Sequence, residues 1–257
     1  MPAVGWLING EKVTHAEAMS RSEADGHYYR FPPAVWETLW RQVQRVDGWV
    51  LPPSMTCPRL HILKSTEDYW LDPQKQWALI VGSAMHAFFE GAGQEGTQEL
   101  KLETTLLVPI TAHDGSPRAI RFPLRGTLDH YDPVAQRLTD YKSTSDFSYF
   151  DNAAKKRVAK EYPDPQHVQQ INFYRLLLER NGYPVTSAQI WYFQASKDAP
   201  RKMVPVPLWG LDEVVEAAVE AARPLAQAQQ TGEMPECACK FPGWGMDRNL
   251  CKESSGA

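Results

Sequence analysis

Residues 126–144, GTLDHYDPVAQRLTDYKST, hold the most informative pattern in the chain. Stretches 120–131 and 134–141 read as two strands joined at Asp132-Pro133, a turn signal. Side chains on the second strand alternate between faces, so Asp140 and Lys142 share one side and Tyr141 takes the other. The hairpin carries Asp129 from the first strand toward Asp140. Two carboxylates meeting at one spot repel unless a cation lies between them. Hard oxygen ligands with water completing the shell suit Mg²⁺ or Mn²⁺. A lysine beside such an ion can orient or deprotonate an attacking water and steady a reacting phosphate. Those are the parts that metal-assisted hydrolysis of a phosphodiester needs. The plain alternative is a solvent-facing strand on which Asp140 and Lys142 are ordinary surface charges, because D-x-K alone is common. Pro123 and Gly126 weaken the first strand and predict a bulge within it.

Outward from this hairpin, two helices carry polar pairs four residues apart. Upstream, LIVGSAMHAFFE (79–90) reads as a small-residue helix ended by Gly91 and Gly93. Its His86 and Glu90 share one face, His86 as a metal ligand and Glu90 as a second ligand or support. A core histidine and a rim glutamate would look the same. Downstream, the helix over 165–180 opens on Asp164-Pro165 and stops at Asn181-Gly182. Gln170 and Tyr174 lie on one side of it, either as hydrogen-bonding groups toward phosphate or bases or as the partly wet edge of an amphipathic helix. Further strands are expected over 100–110 and 187–195, and an Ala-rich helix over 211–229. Strands and helices mixed in this order predict an α/β or α+β domain, a central mixed sheet flanked by helices. Residues 1–50 form an accessory helical segment, with a helix over 34–46, and residues 51–257 the main domain.

The order of these pieces resembles a known family. G-x3-H-x3-E (Gly82, His86, Glu90), G-x2-D (Gly126, Asp129), D-x-K (Asp140, Lys142) and Q-x3-Y (Gln170, Tyr174) follow one another as in the RecB-like branch of the PD-(D/E)XK nucleases. Ser54-Met55-Thr56 leading to Cys57-Pro58 is similar to the S-x-x-x-C-P opening of many members, one residue shorter between the serine and the cysteine. The resemblance runs over about residues 52–251. It implies a restriction-endonuclease-like core that hydrolyses DNA, as an exonuclease on ends or single strands. His86, Asp129, Asp140 and the Tyr141 backbone carbonyl would bind Mg²⁺ or Mn²⁺, and Asp129, Asp140 and Lys142 would form the catalytic set. Gln170 and Tyr174 would lie against DNA.

The four cysteines are Cys57, Cys237, Cys239 and Cys251. One early and three late thiolates select Zn²⁺ or an iron–sulfur cluster and would tie the two ends of the domain together. CRISPR-adaptation nucleases and related helicase–nucleases carry a [4Fe–4S] cluster in this arrangement, and the resemblance implies one here. The C-x-C-x11-C spacing departs from the family's tighter pattern and is short for a zinc knuckle.

Composition narrows the setting. With 27 Lys and Arg against 31 Asp and Glu the net charge is −4, so no global basic field draws the chain onto duplex DNA. Contact with nucleic acid would need a local channel. Lys155, Lys156, Arg157 and Lys160 could line one, with Tyr149 and Phe150 stacking on bases, or they form a solvated face beside core aromatics. No membrane span or secretory leader is seen, so a reducing cytoplasmic setting is expected. Recombination, repair or CRISPR-adaptation proteins are candidate partners. Two other readings stand beside the nuclease: a non-catalytic metal-stapled module that binds DNA or protein, and a subunit active only within a larger complex. Alanine at Asp129, Asp140 or Lys142 is expected to abolish cleavage and leave folding intact.

Overall fold

The computed structural model describes residues 4–26, 28–29, 31–43, 58–66, 69–73, 96–144, 148–151, 156–159, 161–194 and 201–236. The expected helix over 79–90 lies outside them, with His86 and Glu90, and so do all four cysteines, Lys155 and Lys160.

The N-terminal segment is not purely helical. It begins with a hairpin, β1 (Gly5–Ile8) and β2 (Glu11–Thr14), joined at Asn9-Gly10 with φ of 51° and 85°. That turn needs two left-handed residues in a row, which Asn-Gly supplies most readily. Thr14 then caps α1 (His15–Asp25) in a reciprocal box with Glu17, and α2 (Pro33–Val43) follows. Trp6, Trp36 and Leu39 are fully buried in a small core that also takes in Tyr69 and Leu71. After α3 (Pro58–Thr66), the short β3 (Trp70–Leu71) runs parallel to β1 and completes a three-stranded sheet.

The main sheet has five strands in the order β10-β9-β6-β5-β4. Its long hairpin, β4 (Thr97–Thr111) and β5 (Pro117–Asp132), turns at Asp114-Gly115, where Asp114 Oδ1 accepts from the Ser116 amide. Between β5 and β6 (Arg137–Thr144), Asp132 Oδ1 accepts from the amides of Val134 and Ala135, so the Asp-Pro signal acts through its carboxylate. A small hairpin follows, β7 (Ser148–Asp151) with β8 (Lys156–Ala159). The chain then crosses over through α4 (Pro165–Arg180) to β9 (Ser187–Gln194), which runs parallel to β6. Parallel neighbours require such a crossover. Strand β10 (Arg201–Pro205), which the sequence reading omitted, pairs antiparallel with β9 at the sheet edge.

Helix α4 is capped by Asp164, whose side chain accepts from the Gln166 amide, with Pro165 in the first turn. It packs on the sheet together with α5 (Leu211–Thr231), whose Val214, Ala218, Ala222 and Leu225 are buried at helical spacing. These side chains join Leu124, Leu128, Leu138, Ile171, Leu177 and Ile190 in the main core. The expected bulge at Pro123 and Gly126 is absent: both residues keep regular partners on β4, Thr105 and Leu102. The ladder instead skips Asp129 and the residue facing it, Glu99, whose φ is 47°.

Candidate active site

Strands β5 and β6 part where the carboxylates lie. Their paired register runs from Asp132–Arg137 to His130–Thr139 and stops one residue before Asp129 and Asp140 would face each other. The register with β4 passes over Asp129, and the register with β6 ends just before it. Its carboxylate takes over the role of a backbone acceptor, with Oδ2 accepting from the Tyr141 amide at 2.8 Å. A break of this kind re-aims a side chain at the end of a strand. Burial alternates along β5 from Phe122 to Leu128, and the alternation ends at His130 and Tyr131, which are both buried.

The structure brings Asp129, Asp140 and Lys142 together. Asp140 is 2% exposed, and Lys142 Nζ donates to its Oδ1 at 3.2 Å. The same ammonium lies 2.8 Å from Oδ2, so Lys142 reaches both oxygens of the buried carboxylate. Asp129 is close enough to Asp140 to share a hydrogen bond through a proton. Burial, followed by the Asp140 charge, pushes the Asp129 carboxyl well above its ordinary value. Burial alone would lower the Lys142 pKa; Asp140, Tyr174 and Asp129 outweigh it and raise it, so the ammonium stays charged. On the opposite face Tyr141 meets Trp191 edge-on, which confirms the alternation along β6.

Helix α4 covers this cluster. Gln170 Nε2 donates to the Tyr174 hydroxyl at 2.9 Å. Tyr174 is buried, 7% exposed, and burial raises its phenol to about 12 against the opposing pull of Lys142. Tyr174 is therefore not the partly wet edge of the helix: its ring lies over Gly126 and its hydroxyl is held by Gln170. A Cβ on Gly126 would come within 2.8 Å of Tyr174 Cε1 and Leu177 Cδ1. The glycine of the G-x2-D pattern and the tyrosine of Q-x3-Y are therefore one packing unit. Gly126→Ala is expected to cost about 1–3 kcal/mol in denaturant unfolding, the usual penalty for overpacking a filled site. An unchanged midpoint would refute that packing account.

Two polar residues escaped the sequence reading. His167, buried one turn before Gln170, places Nδ1 2.8 Å from the Tyr192 hydroxyl, which also accepts from the Asp164 amide at 3.3 Å. Burial, then the charge of Lys142, lowers His167 to about 4, so a neutral ring stands beside the ammonium. His167 shares its helix face with Gln170 and Tyr174 at spacings of three and seven, and that was the available signal.

The donor set suits a hard divalent cation. Two carboxylates converge, one buried against the Lys142 ammonium and the other destabilised as an anion by its neighbour. Among the described residues no third His, Cys, Asp or Glu joins them. Water or groups from outside the described residues would complete the shell.

No protein-family profile matches the chain, and no curated protein matches its sequence. Solved structures do. The protein called SSO0001 aligns over 79% of this chain and 90% of its own length, with a TM-score of 0.50 and 13% identity. A protein from Eubacterium rectale, described provisionally as an exonuclease, aligns over 80% of this chain and 87% of its own, with a TM-score of 0.51 and 13% identity. At such identity the similarity is one of fold. The chain shares an α/β fold with these two proteins, and it gathers two carboxylates and a lysine where its central strands part.

Proposed function

We propose that this protein is a Mg²⁺- or Mn²⁺-dependent deoxyribonuclease that hydrolyses phosphodiesters at DNA ends or in single strands. The observation that carries the reading is the meeting of Asp129, Asp140 and Lys142 at the break between β5 and β6. An exonuclease-described protein among the similar folds agrees with it. Asp129 and Asp140 would hold the cation, with His86 and the Tyr141 carbonyl as the further ligands that the RecB-like pattern implies. A divalent ion supplies charge neutralisation at the phosphate and activation of water.

The protein's own groups divide the remaining work. Hydrolysis joins a water oxygen to phosphorus and breaks the bond to the leaving sugar oxygen, which ends protonated. Lys142 is held as an ammonium, so its part is to steady negative charge on the phosphoryl oxygens and orient the water, not to remove a proton. Asp140 fixes the direction of that ammonium. Gln170 and Tyr174 brace the cluster from α4, and the half-buried Gln170 is the better placed of the two to meet substrate.

Cys57, Cys237, Cys239 and Cys251 are proposed to hold a structural [4Fe–4S] cluster in a cytoplasmic protein. One described contact favours proximity of the two regions: Arg59, two residues after Cys57, donates to the carbonyl of Pro235, two residues before Cys237, at 3.4 Å. The test is anaerobic purification with iron and sulfide analysis, then digestion of end-labelled DNA with Mn²⁺. Release of label that EDTA stops is expected. A clean preparation that binds DNA with Mn²⁺ present yet never cuts it would leave the non-catalytic module as the better account.

A further inference from the structure

We infer that Lys202 is a phosphate-binding residue for the substrate strand, at the outer end of a row that crosses the sheet from Lys142. The inference rests on the nuclease reading and adds to it a subsite beyond the reacting centre. Lys142 on β6 is the paired neighbour of Tyr192 on β9, and Tyr192 is the paired neighbour of Lys202 on β10. Directly paired residues share a face, so the three side chains stand in line on the side where α4 begins. The ring contacts agree with that line. Tyr192 packs against Tyr162 with centroids 4.3 Å apart, and Lys202 Nζ lies 5.0 Å from the Tyr162 ring centre.

Lys202 is exposed, yet its ammonium is held over an aromatic face. A cation–π contact of this kind orders the long side chain without consuming its N–H donors. Less rotamer freedom is then lost when a phosphate arrives. Two strand intervals separate Lys142 from Lys202, roughly 10 Å between backbones. A strand with its scissile phosphate at Lys142 would bring a following phosphate within reach of Lys202. In a chain of net charge −4 such local cations must supply what the global field does not. Lysine on an edge strand also blocks unwanted sheet pairing, and that role alone predicts no effect on binding.

The test is fluorescence anisotropy of a labelled single-stranded oligonucleotide with the full chain in EDTA, over a range of salt, beside cleavage kinetics in Mn²⁺. Lys202→Gln is expected to weaken binding roughly three- to ten-fold and to lower the salt slope by about 0.7, the value of one single-strand phosphate contact. It should raise KM and leave kcat in place, and Lys202→Arg should retain wild-type behaviour. Equal affinity and equal slope for Lys202→Gln, in a wild-type protein that cuts DNA, would overturn the subsite and leave the nuclease standing. A wild-type protein that neither binds nor cuts would overturn both.

Discussion

Asp140→Asn is expected to lower the single-turnover rate of DNA cleavage by roughly three orders of magnitude, while the melting temperature moves little. The loss has two sources. The substitution removes one of the two carboxylates available to a cation, and it releases Lys142 from the oxygens that aim it. Stability is spared because opposing changes accompany each other. The fold loses the Asp140–Lys142 pair, yet the repulsion between Asp140 and Asp129 goes with it, and Asp129 remains beside the ammonium. Rapid-mixing cleavage of an end-labelled oligonucleotide, with thermal denaturation as the control for folding, reads both quantities. A variant that folds like wild type and cuts within ten-fold of it would remove Asp140 from the chemistry.

Lys142 behaves differently, and the expectation that alanine there leaves folding intact does not survive the geometry. Its removal strands two carboxylates, one of them 2% exposed, without a cation. Breaking a buried pair from one side is among the costlier single changes, about 3–5 kcal/mol. A loss of activity in Lys142→Ala therefore mixes chemistry with unfolding, which makes Asp140→Asn the cleaner experiment.

The parts of the site that were legible in the sequence are those fixed by short-range rules. Period-two alternation set Asp140 and Lys142 on one face, Asp132-Pro133 set the turn, and Asp164-Pro165 set the start of the α4 helix. What escaped depends on register between distant strands. Tyr192 and Lys202 reach the row only through the β6–β9–β10 pairing, and neither carries a local signal of that neighbourhood. Strand β10 was missed because RKMVP is short, charged and closed by proline, all of which lower strand propensity, although an edge strand tolerates them. The misplaced bulge has a similar cause. Gly126 is small to admit Tyr174, a tertiary reason, and the backbone break falls three residues later, at Asp129. A phenol on an amphipathic helix reads as a partly wet edge; the missing Cβ at Gly126 opens the space that buries Tyr174.

Asp129→Asn is expected to abolish the proposed cleavage and at the same time to stabilise the metal-free protein. Because the fold raises the Asp129 pKa, the folded chain keeps a proton that the unfolded chain releases near the ordinary value of 3.8. Stability is full below that value and is lost as the pH rises through the folded pKa, since the anion must then sit beside Asp140. Asparagine is neutral at every pH, and its side-chain oxygen can still accept from the Tyr141 amide, so it keeps the contact and drops the repulsion. At pH 8 in EDTA the variant should melt roughly 2–4 °C above wild type, the response of a chain this size to about 1 kcal/mol. Below pH 4 the two curves should converge. Added Mn²⁺ should reverse the order by raising wild type more than the variant, because a cation stabilises the state that binds it. A variant that melts below wild type at pH 8 in EDTA would show that the Asp129 carboxylate is not under strain there, and the stored repulsion proposed to draw the cation in would have no basis.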